Sequence, residues 1–165
     1  MKIIYVFFCV FFVGCSNVKK DLKTSNFFDY NELNIFISDS LPILVDFDEK
    51  HSDVINQWNE ISLIYNVKNI NVSDSREVNY ILSTLKSDII KISDKIVPFQ
   101  LNHPQIIGRF RVLKTDILKL NSENMFNNTN KFKDQLKDIF FSYNAFVNAV
   151  NYELSNVDNE KLLLN

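Results

Sequence analysis

An all-α fold, an up-down antiparallel bundle of three to four long helices, is what this 165-residue chain predicts. Three observations lead there. Apolar residues recur at alternating spacings of three and four within 78–97, 107–120 and 132–154, the period of helices with one buried face. The connections between these stretches hold about ten residues or fewer, which sets neighbours antiparallel. Gly occurs twice and Pro three times, so turn punctuation is sparse, and Pro98 and Pro104 force a turn that argues against one long coiled coil.

The chain opens on Lys2 and an unbroken apolar run of eleven residues, Ile3 to Val13 (IIYVFFCVFFV). A spanning helix needs about 20 apolar residues. The run is short for that and has the dimensions of a secretory signal peptide. The bland alternative is an N-terminal apolar helix that stays attached as a weak anchor. The run ends in Phe12-Val13-Gly14-Cys15, which resembles the lipobox of bacterial lipoproteins, with Phe12 where that family usually has Leu. The resemblance implies that residues 1–14 are cut away and that the Cys15 thiol is acylated, holding the chain to a membrane. Ser16 rather than Asp after the cysteine implies, by the same resemblance, the outer membrane of a Gram-negative bacterium. The mature chain is also similar in style to small all-α lipoproteins of Bacteroidota, which implies no known activity.

Residues 15–26 are polar and aperiodic, a flexible tether, and 27–165 read as a single domain. Residues 27–47 are ambiguous. Leu33, Ile35 and Ile37 alternate as in a strand, the same stretch fits a short helix, and Pro42 breaks either, so an extended or short helical arm packed on the core is expected. From Asp53, the spacing of Val54, Trp58, Ile61 and Tyr65 predicts one helix face, with Trp58 in the core. Asn66 to Ser73 reads as a polar connection. Asp74-Ser75-Arg76-Glu77 has the form of a capping box, opening a helix with its stripe on Val78, Ile81 or Leu82, Leu85, Ile89, Ile92 and Ile96, through to Val97. Pro104 suits the first position of the next helix, where its missing N–H costs nothing. That helix carries Ile107, Phe110, Leu113, Ile117 and Leu120. After a polar loop, Asn121 to Asn130, the last stripe runs Phe132, Leu136, Ile139/Phe140, Tyr143, Phe146/Val147, Val150 and Leu154. Asn144 and Asn148 share a face offset from this stripe, and with Asn151 are expected at boundary or solvent positions; buried, they would hydrogen-bond across helices.

The mature chain from Cys15 has 151 residues, enough for one domain with a real core. Its 17 basic and 20 acidic side chains give a formal charge of −3, and the pI of 5.7 is far from the basic profile of a nucleic-acid binder. Cys9 lies in the signal peptide and Cys15 carries lipid, which excludes disulfides, thiol nucleophiles and cysteine metal sites from the domain. Ala, the best helix former, occurs only at Ala145 and Ala149, while Asn, a poor one, is abundant. The helices must therefore be stabilised by burying an apolar face.

Chemistry is sparse. Asp46 to Asp53 gathers four carboxylates and His51, but the sixth position of a calcium loop should be Gly and is His51, and the twelfth should be Glu and is Gln57. Negative charge at a helix start explains the run better. A zinc site would need His103, far away in sequence. No Gly-x-Ser-x-Gly elbow and no Gly-rich phosphate loop exists. Neither an enzyme nor a cofactor is expected. Arg109 and Arg111 lie within the most distinctive internal stretch (PQIIGRFRVLKT). One reading is an anion or partner contact helped by close approach at Gly108. The other, favoured, is an inter-helix ion pair with a glycine that lets helices pack closely. The expected role is non-catalytic: an adaptor or scaffold that binds another envelope protein, with a helical bundle holding an apolar or anionic small molecule as the alternative.

Overall fold

The computed structural model describes residues 29–72 and 76–163, and these form an all-helical fold with no strand among them. The expected signal peptide, Cys15, the expected tether and the Asp74-Ser75 half of the expected capping box lie outside the described residues.

The ambiguous arm resolves into two parts. Helix α1 (Tyr30–Ser40) is N-capped by Asp29, whose carboxylate accepts from the N–H groups of Asn31 at 2.9 Å and Glu32 at 3.2 Å. It buries Leu33, Phe36 and Ile37, while Ile35 of the strand-like alternation faces solvent. Pro42 excludes the helical conformation from the residue before it, so Leu41 turns extended and a non-helical segment continues to Asp48, which is extended again.

The helix expected from Asp53 is not continuous. Helix α2 (Ser52–Ile55) stops after one turn, Glu60 adopts a left-handed φ of 62°, and Ile61–Asn66 winds as a 3₁₀ helix into α3 (Val67–Val72). The buried residues are Ile55, Trp58, Ile61, Ile64, Val67 and Ile70, a strict spacing of three. Three residues per turn is the 3₁₀ period, and Asn56, Asn59 and Asn66 give the α-helix little intrinsic support. Val54 and Tyr65 of the expected face are left at the core's edge, whereas Trp58 is in the core as expected. The supposed polar connection after Asn66 is thus itself helical, pinned by Val67 and Ile70.

Helix α4 (Val78–Lys91) has Glu77 as its N-cap, not as the third helical residue of a capping box. It buries Val78, Leu82, Leu85 and Ile89 but ends well before Val97, leaving Ile96 exposed. The carbonyls that would continue it are taken sideways: Ile92 by Lys114 Nζ at 3.1 Å and Ser93 by Trp58 Nε1 at 2.8 Å. Helix α5 (Pro104–Lys119) begins with Pro104 in its first turn, as predicted, and buries Ile106, Phe110, Leu113 and Ile117. Helix α6 (Asn124–Asn127) is a single turn in the expected loop. Helix α7 (Thr129–Leu163), 35 residues and about 52 Å long, buries every residue of its predicted stripe from Phe132 to Leu154.

Residue pairs fix the directions. Lys86 meets Leu120, and Asp94 meets Arg111, so α4 and α5 are antiparallel. Lys119 meets Gln135, and His103 meets Glu153, so α5 and α7 are antiparallel. The arm instead runs parallel to α7, from Glu32 beside Lys133 to Lys50 beside Ser155. Phe146 is the hub of the core, packing edge-on against Phe47 of the arm at 6.1 Å and Trp58 at 5.8 Å, and at a tilt on Phe110 of α5 at 5.5 Å. One continuous apolar core joins Leu33 to Leu154.

Candidate functional site

Three carboxamides on α7 share one geometry. Asn144 donates its Nδ2 to the Ile43 carbonyl and accepts the Val45 N–H on its Oδ1, both at 2.8 Å. Asn151 does the same with the Asp46 carbonyl at 2.8 Å and the Asp48 N–H at 2.9 Å. Gln135 takes the Lys119 carbonyl at 3.0 Å and the Asn121 N–H at 3.4 Å. Each grips the carbonyl of one residue and the N–H two residues later. In extended backbone these two groups point to the same side, and a carboxamide offers one acceptor and one donor side by side to match them. The register along the arm also fits. Seven residues of helix rise about 10.5 Å, close to the roughly 10 Å of three extended residues. Asn144 and Asn151 are therefore half-buried and hydrogen-bonded to the arm's main chain, rather than to another helix or to solvent. Their seven-residue spacing marks one helix face, but nothing in the sequence shows which segment lies against it.

On the side of α7 that faces α5, the two helices border a groove of ≈ 390 Å³ lined by Gln105 and Arg109 from α5 and by Ala145, Asn148, Ala149 and Tyr152 from α7. The chain's two alanines thus line one groove. Gln105, Arg109, Asn148 and Tyr152 have no hydrogen-bond or ion-pair partner among the described residues. Asn148 is exposed, as expected. The surrounding helix faces carry exposed apolar side chains, Val112 at 54%, Phe141 at 61% and Tyr152 itself at 69%.

Arg109 and Arg111 do not form one site. Arg111 Nε lies 2.7 Å from Asp94 Oδ2 in the loop after α4, and this guanidinium hydrogen bond holds the Asp94 carboxyl below its ordinary range. Arg109 turns to the groove. Gly108 does not serve close helix packing: among the described residues, a methyl group on its Cα would meet no atom within 4 Å. Asp116, further along α5, is pushed above the usual carboxylate range by burial, partly offset by the Ser142 hydroxyl.

A second hollow of ≈ 420 Å³ lies at the end of the arm, lined by Phe47, Asp48, Glu49, Ser52, Ile55, Asn56 and Tyr65. Its groups are largely engaged: Asp48 accepts from the Lys50 N–H and pairs with the Lys50 ammonium, and Phe47 meets Tyr65 edge-on at 5.7 Å. Elsewhere in the acidic run, Asp46 pairs with Lys68 and Asp53 sits in the first turn of α2. Among the described residues no group of three or more His, Cys, Asp or Glu side chains is placed to hold a metal. None of the helices among them is long and apolar enough to cross a membrane.

The fold and groove together define a helical domain with an arm strapped along its longest helix and one groove of unpartnered polar groups. No family model, curated protein or solved structure matches the chain.

Proposed function

We propose that the chain is a lipid-anchored lipoprotein of the cell envelope with a non-catalytic role, an adaptor that holds another envelope protein in the groove between α5 and α7. The observation that carries this reading is the groove itself: four polar side chains without partners among the described residues, two small residues and exposed Phe141 and Tyr152 on one continuous pair of helix faces. Exposed apolar surface rimmed by polar groups is the usual character of an interaction site. Its position suits an anchored protein. The arm begins beside residue 133 of α7, and Asn148 lies about 22 Å further along that helix. An anchor on Cys15 would thus join the molecule at one end and leave the groove towards the other.

The adaptor reading is preferred to a ligand-holding bundle because the aromatic rings that would line an internal cavity pack on one another. Trp58 and Phe110 meet at 5.1 Å, and both meet Phe146. The test is site-specific photocrosslinking in cells. A photoreactive residue at Val112, beside the groove, should give one dominant adduct with an envelope protein, and one at Tyr80, exposed on α4, should not. Failure of the Val112 position to give any adduct above the Tyr80 background would remove the adaptor reading.

A further inference from the structure

The chemistry of the groove identifies the kind of segment it takes. Gln135, Asn144 and Asn151 each hold main chain by the carbonyl of one residue and the N–H two residues later. Asn148 and Gln105 present the same group from opposite walls of the groove, with both ends of each amide unpartnered among the described residues. Arg109 supplies a cation that has no carboxylate partner among the described residues. Ala145 and Ala149 keep the neighbouring surface low, so a backbone can come close. We propose that the groove binds an extended peptide segment of the partner protein, its main chain gripped by Asn148 and Gln105 and an acidic side chain paired with Arg109. The proposal rests on the adaptor reading and adds the partner's chemistry to it.

Two other occupants fit less well. A docked helix has its own backbone groups bonded internally and would offer neither carboxamide a main-chain partner. A bare anion can accept from Arg109 and from the amide N–H groups but leaves both amide oxygens without a donor. An extended segment with one carboxylate uses all three groups, and the guanidinium fork matches a carboxylate in two parallel hydrogen bonds.

The probe is a phage-displayed library of random octapeptides selected on the full chain in detergent micelles, with enriched sequences synthesised and measured by fluorescence anisotropy. Enriched peptides should share an Asp or Glu. Arg109→Gln should weaken them by about tenfold or more, the loss expected for a charge-assisted hydrogen bond. Asn148→Ala and Gln105→Ala should each weaken them several-fold, and Arg109→Glu should redirect the selection to peptides carrying Lys or Arg. Thermal unfolding of each variant should match the parent, since none of these side chains has a partner among the described residues. Peptides that bind the Arg109→Gln and Asn148→Ala variants as tightly as the parent would overturn the proposal. So would selected peptides that turn helical on binding, or a dimer of the chain that Arg109→Glu dissociates. The two readings fail separately: a Val112 adduct in cells combined with peptide binding indifferent to Arg109 leaves an adaptor but removes the extended acidic segment.

Discussion

At the scale of single residues, the side chains that decide this molecule are carboxamides. Asn144→Ala or Asn151→Ala removes two hydrogen bonds from the arm, and at about 0.5–1.5 kcal/mol each the cost should be about 1–3 kcal/mol, read by denaturant unfolding. Hydrogen exchange should speed up at Val45 in the first variant and at Asp48 in the second, and uniform exchange across the molecule would show that the arm is not held locally. Gly108→Ala should stabilise α5 by up to about 1 kcal/mol, the helix-propensity difference, because the added methyl meets nothing; a loss of stability would mean that the position is crowded after all. Asp94 should titrate below its ordinary value of about 3.9 and return to it in Arg111→Ala, followed by NMR of the carboxyl. Its pKa is depressed in the fold, so the pair's contribution is complete above the unfolded value and fades as pH falls through the lowered one. Both side chains keep some solvent contact, so the contribution is small, about 0.2–1 kcal/mol. The asparagines show the limit of sequence reading. Their positions on the helix were legible, but a partner for a short polar side chain depends on which segment the fold lays beside it, and no periodicity encodes that.

At the scale of elements, what was legible follows the strength of the 3.6-residue pattern. The stripe of α7 and nearly all of that of α5 could be read, because nine and four buried apolar positions repeat there, with Ile106 buried where Ile107 was expected. The segment 52–72 was misread because Val54, Trp58, Ile61 and Tyr65 satisfy the helical spacing, while Ile55, Trp58, Ile61 and Ile64 satisfy a spacing of three that the fold prefers. Both patterns use Trp58 and Ile61, and only packing decides between them. Glu60 is the joint of that segment, in a left-handed conformation that costs an ordinary residue roughly 1–2 kcal/mol. Glu60→Gly should therefore raise stability by about 1 kcal/mol, and a fall would show that the carboxylate contributes more than the backbone relief. The early end of α4 was equally out of reach, since it depends on contacts from other helices. Lys86 of α4 donates to the Leu120 carbonyl that ends α5, and Lys114 of α5 donates to the Ile92 carbonyl that ends α4. Each of the two antiparallel helices thus supplies the cation at the other's C-terminus, where the dipole favours it.

At the scale of the whole molecule, the arm, the turn that carries Trp58 and the two longest helices meet at Phe146, so they should unfold as one unit. The all-helical class was legible because three long stripes outweigh the short irregular pieces. The groove was only partly legible: Arg109 and Asn148 were visible as residues, but nothing in their sequence positions, 39 apart, brings them together. On the proposed anchoring, Cys15→Ala should abolish fatty-acid labelling and move the protein from the membrane to the soluble fraction; labelling that persists would exclude Cys15 as the acylated residue. The parallel course of the arm along α7 has a mechanical consequence. A pull on residue 29 towards a membrane, resisted by a partner seated near Asn148, draws the arm one way and α7 the other. The amide grips at Asn144 and Asn151 then lie across the direction of sliding and carry the load together, in shear, instead of peeling open one after the other.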